Sequence, residues 1–187
     1  MPRPARYTVD DLLDAAAELL AAEGPAAVTM SAVARACGAP SGSVYHRFPS
    51  RAALCGELWL RTEERFHAEL LVALGESGDA QQRCVDGARG VLAWCRENPA
   101  EAQVLLTGPA QLGLSEWPDT LGNRRKRLQR KIRKTFGELA DDAGRVSAAL
   151  IDVPLAMVRR GQRPRQVVPA GADAIVEDCA RALIAPS

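Results

Sequence analysis

The fold is decided by residues 28–54, which read VTMSAVARACGAPSGSVYHRFPSRAAL. Thr29 can cap a short helix, and Gly38 ends it, because a glycine just past the last turn takes the left-handed conformation at little cost. A second short helix follows, in which Val44 and Phe48 are spaced to face inward together. The pattern is that of two short helices joined by a tight turn.

An amphipathic helix precedes this stretch. Thr8 can cap it, Asp10 and Asp11 favour its positive N-terminal end, and Gly24-Pro25 stops it after about Glu23. The apolar residues that share one face at helical spacing are Val9, Leu12, Leu13, Ala16, Leu19 and Leu20. Together the three helices form the pattern of a helix-turn-helix head.

Entry of the second short helix into a DNA major groove requires small or polar residues at its start. Ser41, Gly42 and Ser43 meet this requirement. Residues that bind phosphates must flank the helix, and the available ones are Thr29, Tyr45, His46, Arg47 and Arg51. The sequence therefore predicts a DNA-binding surface.

The same residues resemble the DNA-binding segment of the TetR family, from Val28 through Phe48 and on through Ser50-Arg51-Ala52-Ala53-Leu54. The resemblance covers residues 7 to about 60. It implies that Thr29, Tyr45 and Arg51 hold phosphates. The candidates it implies for base or groove contact are Pro40, Ser41, Ser43 and His46. Arg51 stands where lysine is usual in the family, and Pro40 where serine often stands, so the operator sequence can differ.

The predicted fold class is all-α, with an N-terminal three-helix helix-turn-helix head. A long helix from about Ser50 to Leu74 joins it to a C-terminal helical ligand-binding and dimerisation domain. Further helices are predicted at about 79–97, 99–107, 118–140, 144–160 and 171–184, with loops at 108–118 and 161–171. The predicted domains are residues 1–50 for DNA binding and 51–187 for ligand binding and dimerisation.

Composition supports a folded helical protein. Of 187 residues 47% are hydrophobic and only 4% aromatic, so a core can be buried, and the sparse β-branched residues favour helix over strand. The net charge of +1 argues neither for nor against DNA, because a local surface charge decides that interaction. The start lacks a signal-peptide core and no apolar run is long enough for a membrane span, which predicts a cytoplasmic protein without a membrane partner.

Metal and cofactor sites are not expected. The five cysteines are odd in number and include no Cys-x-x-Cys pair, and the chain has only two histidines. We interpret the cysteines as small buried hydrophobic residues in a reducing compartment, with a redox-sensing thiol as the alternative. Ser-His-acid arrangements, paired-carboxylate motifs and Gly-x-Ser-x-Gly are also missing, so no enzyme activity is predicted.

The resemblance implies a ligand-responsive transcriptional regulator. The expected partners are double-stranded operator DNA, a small-molecule effector and a second copy of the chain. Release of a repressor from a palindromic operator by a small apolar molecule is the expected mode, since it is the common one in the family, and activation and ligand-dependent co-repression are the alternatives that the family also offers. The alternatives are a helical protein that binds a ligand or partner without binding DNA, and a less favoured helical enzyme.

Large apolar residues in the C-terminal part have two interpretations. They are ordinary core, or some of them line an apolar ligand cavity between helices, as the resemblance implies. The candidates for the cavity are Phe66, Trp94, Trp117, Leu121 and Leu128. The sequence does not separate these interpretations.

The last helices carry apolar stripes that predict a dimer interface. The candidate interface residues are Ile151, Leu155, Ile175, Val176, Cys179 and Leu183. Pro154 interrupts the stretch before the final helix, so it either kinks that helix or lies in the first turn of a new one capped by Asp152.

A basic run spans residues 124–134, where eight of eleven residues are Arg or Lys and none is acidic. A second DNA-binding surface and a solvated helix face are both consistent with this run. The solvated face is favoured, because the long aliphatic stems of such residues cover apolar neighbours while their charges remain in water.

Overall fold

The computed structural model describes residues 7–75, 77–161 and 168–184, and every regular element in these ranges is helical. The helices are α1 (Val9–Glu23), α2 (Met30–Ala36), α3 (Ser41–Arg47), α4 (Arg51–Leu74), α5 (Ala80–Glu97), α6 (Pro99–Gln111), α7 (Asp119–Leu139), α8 (Ala143–Ser147), α9 (Val153–Arg160) and α10 (Ala172–Leu183). The prediction of an all-α fold with a long fourth helix is confirmed.

The ends of the head helices follow the predicted caps. The Thr8 hydroxyl accepts a hydrogen bond from the Asp11 backbone N–H at 3.1 Å, and the Asp11 carboxylate accepts one from the Thr8 N–H at 2.7 Å. This reciprocal capping box begins α1. The Ser50 hydroxyl accepts from the Ala53 N–H at 3.1 Å and so caps α4.

The chain divides into two compact units. The first unit comprises residues 1–62 and 100–125, and the second comprises residues 63–99 and 126–187. The first unit extends beyond the predicted domain boundary between residues 50 and 51, because the beginning of α4 packs against the head helices. The functional division into a DNA-binding and a ligand-binding part stays a prediction.

The core of the first unit gathers side chains from six helices. Its members include Leu12 and Leu20 of α1, Val33 of α2, Val44 of α3, Leu54 and Leu58 of α4, Val104 of α6 and Leu121 of α7. Burial of these apolar side chains is the main term that holds the short helices in place, since isolated helices of their length are marginal in water.

Gly56 allows the chain after α6 to approach α4 closely. A Cβ atom at this position would lie 2.8 Å from Leu121 Cδ1 and 3.1 Å from Trp117 Cδ2, closer than carbon atoms normally pack. The absence of a side chain at Gly56 therefore brings Trp117 and Leu121 against the α4 backbone.

The second unit is built around α5, which packs against α9, α10 and the π-helical turn Ala148–Asp152. Its contact with α10 includes two hydrogen bonds from Arg96 to the Asp173 carboxylate and two from Gln81 to the carbonyls of Arg181 and Ile184. The buried face of α10 carries Ala172, Val176 and Ala180.

Two predicted segments differ in detail from the structure. The predicted helix 144–160 consists of α8, the π-helical turn and α9, with Pro154 in the first turn of α9, where its missing N–H is tolerated. Asp152 makes no capping bond with its side chain. The predicted loop from Gly108 contains the end of α6, although Gly108 itself breaks the helix with a φ of 76°. The second predicted loop lies largely outside the described residues.

His67 lies on α4 beside Phe66, whose ring packs edge-on against both His67 and Trp94 at centroid distances of 5.2 Å. Burial lowers the pKa of His67 from 6.5 to about 4, because the charged imidazolium is poorly solvated there. His67 is therefore neutral in the folded protein near pH 7.

We expect the free energy of unfolding to fall as the pH falls from 6.5 towards 4. In this window the unfolded chain binds a proton at His67 that the folded chain does not bind. The loss is at most about 3 kcal/mol. Chemical denaturation of the His67→Gln variant across this range should show a shallower decrease. An identical decrease in both proteins would contradict the assignment.

Candidate functional site

The turn between α2 and α3 is closed by two backbone hydrogen bonds. The Gly38 N–H donates to the Arg35 carbonyl at 3.0 Å, and the Ala39 N–H donates to the Ala34 carbonyl at 2.8 Å. These two bonds form a Schellman motif, which requires the left-handed φ of 64° found at Gly38. The predicted role of this glycine as the end of α2 follows from that geometry.

The same turn is tied to the beginning of the chain. The Tyr7 hydroxyl donates to the Gly38 carbonyl at 2.8 Å, and the Cys37 thiol donates to the Asp11 carbonyl at 3.4 Å. Both bonds span many residues, so the turn is held against α1 and the direction of α3 is set. Sequence reasoning did not assign this role to Tyr7.

Helix α3 presents one face to the core and another to solvent. Val44 and Phe48 are buried, whereas Tyr45 is 56% exposed and His46 is exposed as well. Gly42 is exposed and Ser43 is half-buried at the start of the helix. The side chain of Ser41 lies outside the described residues.

A long segment of the head, which includes α2 and α3, carries no acidic residue. From Gly24 to Gly56 the sequence contains no Asp or Glu, and the exposed residues of this segment include Arg35 and His46. The exposed Pro40 begins the same face, and Thr29 lies exposed at the start of α2. A segment without carboxylates suits the phosphate backbone of DNA, which repels negative side chains.

Two predicted phosphate ligands use their guanidinium groups inside the head. Arg47 donates to the Ser43 carbonyl at 3.1 Å and to the Tyr7 carbonyl at 2.7 Å. Arg51 donates from Nε to the Val28 carbonyl at 2.7 Å and from Nη2 to the Pro25 carbonyl. Both residues therefore position the helices, and their contact with phosphates stays a prediction.

Thr29 combines a structural and a possible recognition role. Its hydroxyl oxygen accepts the Ala32 N–H at 3.1 Å, which caps α2. A hydroxyl that accepts one hydrogen bond can still donate its own proton. Thr29 therefore retains a donor suited to a phosphate oxygen.

A buried arginine fastens α1 to α4 and α6. Arg61 of α4 is 8% exposed, and its guanidinium lies 3.1 Å from the Asp10 carboxylate and 2.7 Å from that of Asp14. Glu101 of α6 is 3.7 Å away. The positive charge is thus surrounded by acids, which offsets the cost of burying it.

Two tryptophans meet in the core of the first unit. The rings of Trp59 and Trp117 are 5.8 Å apart, and the Trp117 indole N–H donates to the Leu112 carbonyl at 3.0 Å. Arg125 lies over the Trp59 ring, with its guanidinium carbon 5.3 Å from the centroid. This arrangement combines a large aromatic surface with one positive charge.

The structure places the predicted pocket residues in two clusters. Phe66 and Trp94 are in edge-on contact in the second unit, and Trp117 and Leu121 pack together on Gly56 in the first. Leu128 is half-buried. A separate cavity of about 440 Å³ in the second unit is lined by other residues, including Asp142, Arg145 and Ile184.

The predicted interface residues differ in their exposure. Ile175 is 45% exposed on α10, whereas Val176 is 0% exposed and belongs to the core of its own unit. The half-buried members are Ile151, Leu155, Cys179 and Leu183. Val176 is therefore not accessible to a partner chain.

The cysteines are largely core residues. Cys55, Cys84 and Cys95 are buried, as expected, while Cys37 and Cys179 are half-buried. Burial raises the pKa of the Cys84 thiol to about 11 and that of Cys95 to about 12, so neither is a reactive thiolate at neutral pH. Within the described ranges, no group of His, Cys, Asp or Glu is arranged to hold a metal ion. No helix there has the length and apolarity required to cross a bilayer.

Residues 12–58 match the model of the family described as bacterial regulatory proteins, tetR family. This stretch of the chain is therefore similar to the DNA-binding segment of that family. The match extends from α1 into α4 and contains the whole helix-turn-helix described above. The comparison thus supports a helix-turn-helix of the TetR type within residues 12–58.

Known proteins are also similar to this chain over most of its length. The nucleoid occlusion factor SlmA of Marinobacter nauticus is 28% identical over 171 residues, covering 89% of this chain and 77% of SlmA. A transcriptional regulator from Rhodococcus sp. Rha1 has a TM-score of 0.74 at 14% identity and covers 95% of this chain and 96% of its own. FadR from Bacillus subtilis, solved in complex with stearoyl-CoA, has a TM-score of 0.70 at 13% identity and covers 95% of this chain and 98% of its own. These structures share the fold.

The basic run on α7 contains side chains in different surroundings. Arg124 forms an ion pair with Glu57 at 2.8 Å, and Arg125 covers Trp59. Lys134 lies 3.7 Å from Glu138. The exposed members without those contacts are Lys126, Arg127, Arg130, Lys131 and Arg133. Exposure is consistent with a solvated helix face and with a second DNA-binding surface, so the choice between them stays a prediction.

Sequence reasoning did not single out Thr62 or Arg125. Thr62 lies between Leu58 and Phe66 on the apolar stripe of α4, and Arg125 lies four residues after Leu121 on the apolar stripe of α7. A polar residue on an apolar helical stripe is the signal that could have identified both.

We expect Arg51→Ala to lower the free energy of unfolding by about 1.5–3 kcal/mol, because it removes hydrogen bonds from a charged donor to two internal carbonyls. Urea denaturation measures the change. Arg35→Ala removes an equal charge from the exposed face of α2 and serves as the matched control. Equal stability of the two variants would contradict the internal role of Arg51.

Proposed function

We propose that this protein is a TetR-family repressor that binds a palindromic operator as a homodimer and is released by a small, largely apolar molecule. The observation that carries the proposal is the outer face of α3, where Tyr45 and His46 are exposed in a segment without acidic residues. Such a protein works on chromosomal DNA in the cytoplasm.

The start of α3 supports entry into a major groove. The exposed Gly42 and the half-buried Ser43 give the helix a narrow leading end, which lets its backbone approach the bases. The tyrosine and histidine that follow can contact phosphates or base edges, and Thr29 contributes a hydroxyl from the start of α2. Arg47 and Arg51 act mainly by holding these groups in register.

The interior of the protein supports an effector with a large apolar part. The first unit buries the Trp59–Trp117 pair, and the second buries Phe66 against Trp94. A protein of the same fold, FadR of Bacillus subtilis, was solved with stearoyl-CoA. This fold can therefore accept a ligand with a long acyl chain, and the pocket candidates stay a prediction for this chain.

Release requires two conformations of the dimer. One conformation sets the two α3 helices at the spacing of successive major grooves, and the effector binds another conformation better. The effector weakens DNA binding only by the ratio of its affinities for the two states. Helix α4 contributes to both compact units, so it is the element through which we expect the change to pass.

The proposed dimer uses α9 and α10. Val176 is excluded because it is buried, and the remaining candidate residues are Ile151, Leu155, Ile175, Cys179 and Leu183. A two-fold dimer of one short recognition helix per protomer reads two half-sites and so gains the affinity that a single head lacks.

We expect Tyr45→Ala to weaken operator binding by about 1–3 kcal/mol, because it removes an exposed contact to the DNA without disturbing the core of the head. Operator fragments selected from genomic DNA provide the ligand, and fluorescence anisotropy across a range of salt concentrations measures affinity. A regulator should lose affinity steeply as salt rises.

Val72→Ala is the matched control, since Val72 is 77% exposed on α4 outside the proposed DNA-binding face. It should bind the operator like the unchanged protein. If the Tyr45 variant binds the operator with full affinity, the proposed contact between Tyr45 and the DNA is excluded. Failure of the unchanged protein to bind any duplex DNA in a salt-dependent way would favour a helical ligand-binding or partner-binding protein.

We expect Ile175→Glu to produce monomers and to weaken operator binding, because it places a charge in an apolar interface. Sedimentation at micromolar concentration measures the assembly, and circular dichroism checks the fold. Val72→Glu adds the same charge at an exposed apolar position outside the interface and should remain dimeric. A monomeric unchanged protein would exclude the proposed interface.

A further inference from the structure

Five buried side-chain atoms of the first unit have no hydrogen-bond partner among the described residues. Two of them, Nε and Nη2, belong to Arg61, whose guanidinium is ion-paired with Asp10 and Asp14. The other three are the indole Nε1 of Trp59, the hydroxyl of Thr62 and the guanidinium Nε of Arg125. Trp59 is 6% exposed and Thr62 is 0% exposed, so both side chains lie in the interior. Buried donors without acceptors cost free energy, and folded proteins leave few of them.

The three groups come from neighbouring positions. Trp59 and Thr62 are one helical turn apart on α4, which places them on the same side of the helix. The Arg125 guanidinium carbon is 5.3 Å from the centroid of the Trp59 ring. The three side chains are defined here as the polar anchor.

Side chains of the same type beside the anchor do have partners. The Trp117 indole N–H donates to the Leu112 carbonyl at 3.0 Å, and Arg124 pairs with Glu57 at 2.8 Å. The fold can therefore satisfy an indole and a guanidinium in this part of the core. It leaves the indole N–H of Trp59 and the Nε of Arg125 without an acceptor, and among the described residues neither side chain has an ion pair to offset this, as Arg61 has.

We propose that the polar anchor binds the carboxylate of an amphipathic effector whose tail is apolar. The inference rests on the proposed function and narrows the effector from any small apolar molecule to an acid. The aromatic rings of Trp59 and Trp117, which lie side by side, provide apolar surface next to the head group.

The chemistry of the anchor favours a carboxylate over other polar head groups of a ligand. An indole N–H and a guanidinium only donate hydrogen bonds, and a threonine hydroxyl can donate one. A carboxylate offers two oxygens that accept several hydrogen bonds, and its negative charge balances that of Arg125, whose buried Nε has no hydrogen-bond partner within the described ranges. An alcohol supplies no charge, and an amine repels the guanidinium.

Binding of decanoate and decan-1-ol to the purified full-length protein tests the proposal without DNA. The two probes have the same chain length and differ in the charge of the head. Isothermal titration calorimetry should show decanoate binding about tenfold or more tightly than decan-1-ol, since hydrogen bonds to charged groups are stronger than neutral ones.

Arg125→Gln should abolish this preference and leave the affinity for decan-1-ol within about twofold, because only the charged contact is lost. Arg127→Gln removes an equal charge from an exposed position on the same helix, and it should keep the preference. If both variants lose the preference for decanoate, the preference comes from the overall charge of α7, and the proposed binding by the polar anchor is wrong.

Thr62→Val provides a readout in the absence of any probe. It replaces a buried hydroxyl without a partner by a methyl group of similar size, so the melting temperature should stay the same or rise, while decanoate binding weakens. A hydroxyl with a structural role, whether bonded to a neighbour or to water, would lower the melting temperature when removed. That result would overturn the proposal.

The outcomes separate this inference from the proposed function. A protein that binds operator DNA but binds decanoate and decan-1-ol equally, or neither at millimolar concentration, is a regulator without this anchor. A protein that prefers decanoate through Arg125 but shows no salt-dependent DNA binding has the anchor and lacks the proposed function.

Discussion

Helix α3, the proposed recognition helix, has only seven residues, and such a helix is not stable in isolation. Contacts with other parts of the chain therefore hold it in position. Val44 and Phe48 insert into the core of the first unit, and the Schellman turn at Gly38 sets its direction. Tyr7 fastens that turn to the beginning of α1. The exposed surface of the head follows from these internal constraints.

Helix α4 carries polar groups in two different situations. Arg61 is buried among three carboxylates, so its charge is compensated and it holds α1, α4 and α6 together. One residue later Thr62 is buried with no hydrogen-bond partner among the residues described. A compensated group stabilises a single arrangement, whereas an uncompensated group favours any conformation or ligand that satisfies it. Under the proposed function, this contrast makes α4 the helix that we expect to transmit the effect of a bound ligand.

Local sequence patterns predicted most of the helices. Thr8, Thr29 and Ser50 begin helices as N-caps, and Gly38 ends one, because capping depends on residues a few positions apart. The helix breaks before Pro154 were harder to predict from local patterns. A π-helical turn precedes Pro154, and such a turn depends on how the whole segment packs as well as on the missing proline N–H. The division into two units was also beyond local patterns, because α6 and the beginning of α7 return to the head.

The sequence by itself determined the fold class, the helix-turn-helix and the residue types on its outer face. These features depend on periodicity, caps and short motifs, which are local properties of the chain. Only the tertiary structure decided the direction of each long side chain. It turns Arg47 and Arg51 towards backbone carbonyls, buries Val176 within its own unit, and stacks Arg125 on Trp59. The physical reason is that a flexible charged side chain reaches several partners, and the choice depends on which ones distant parts of the chain bring near.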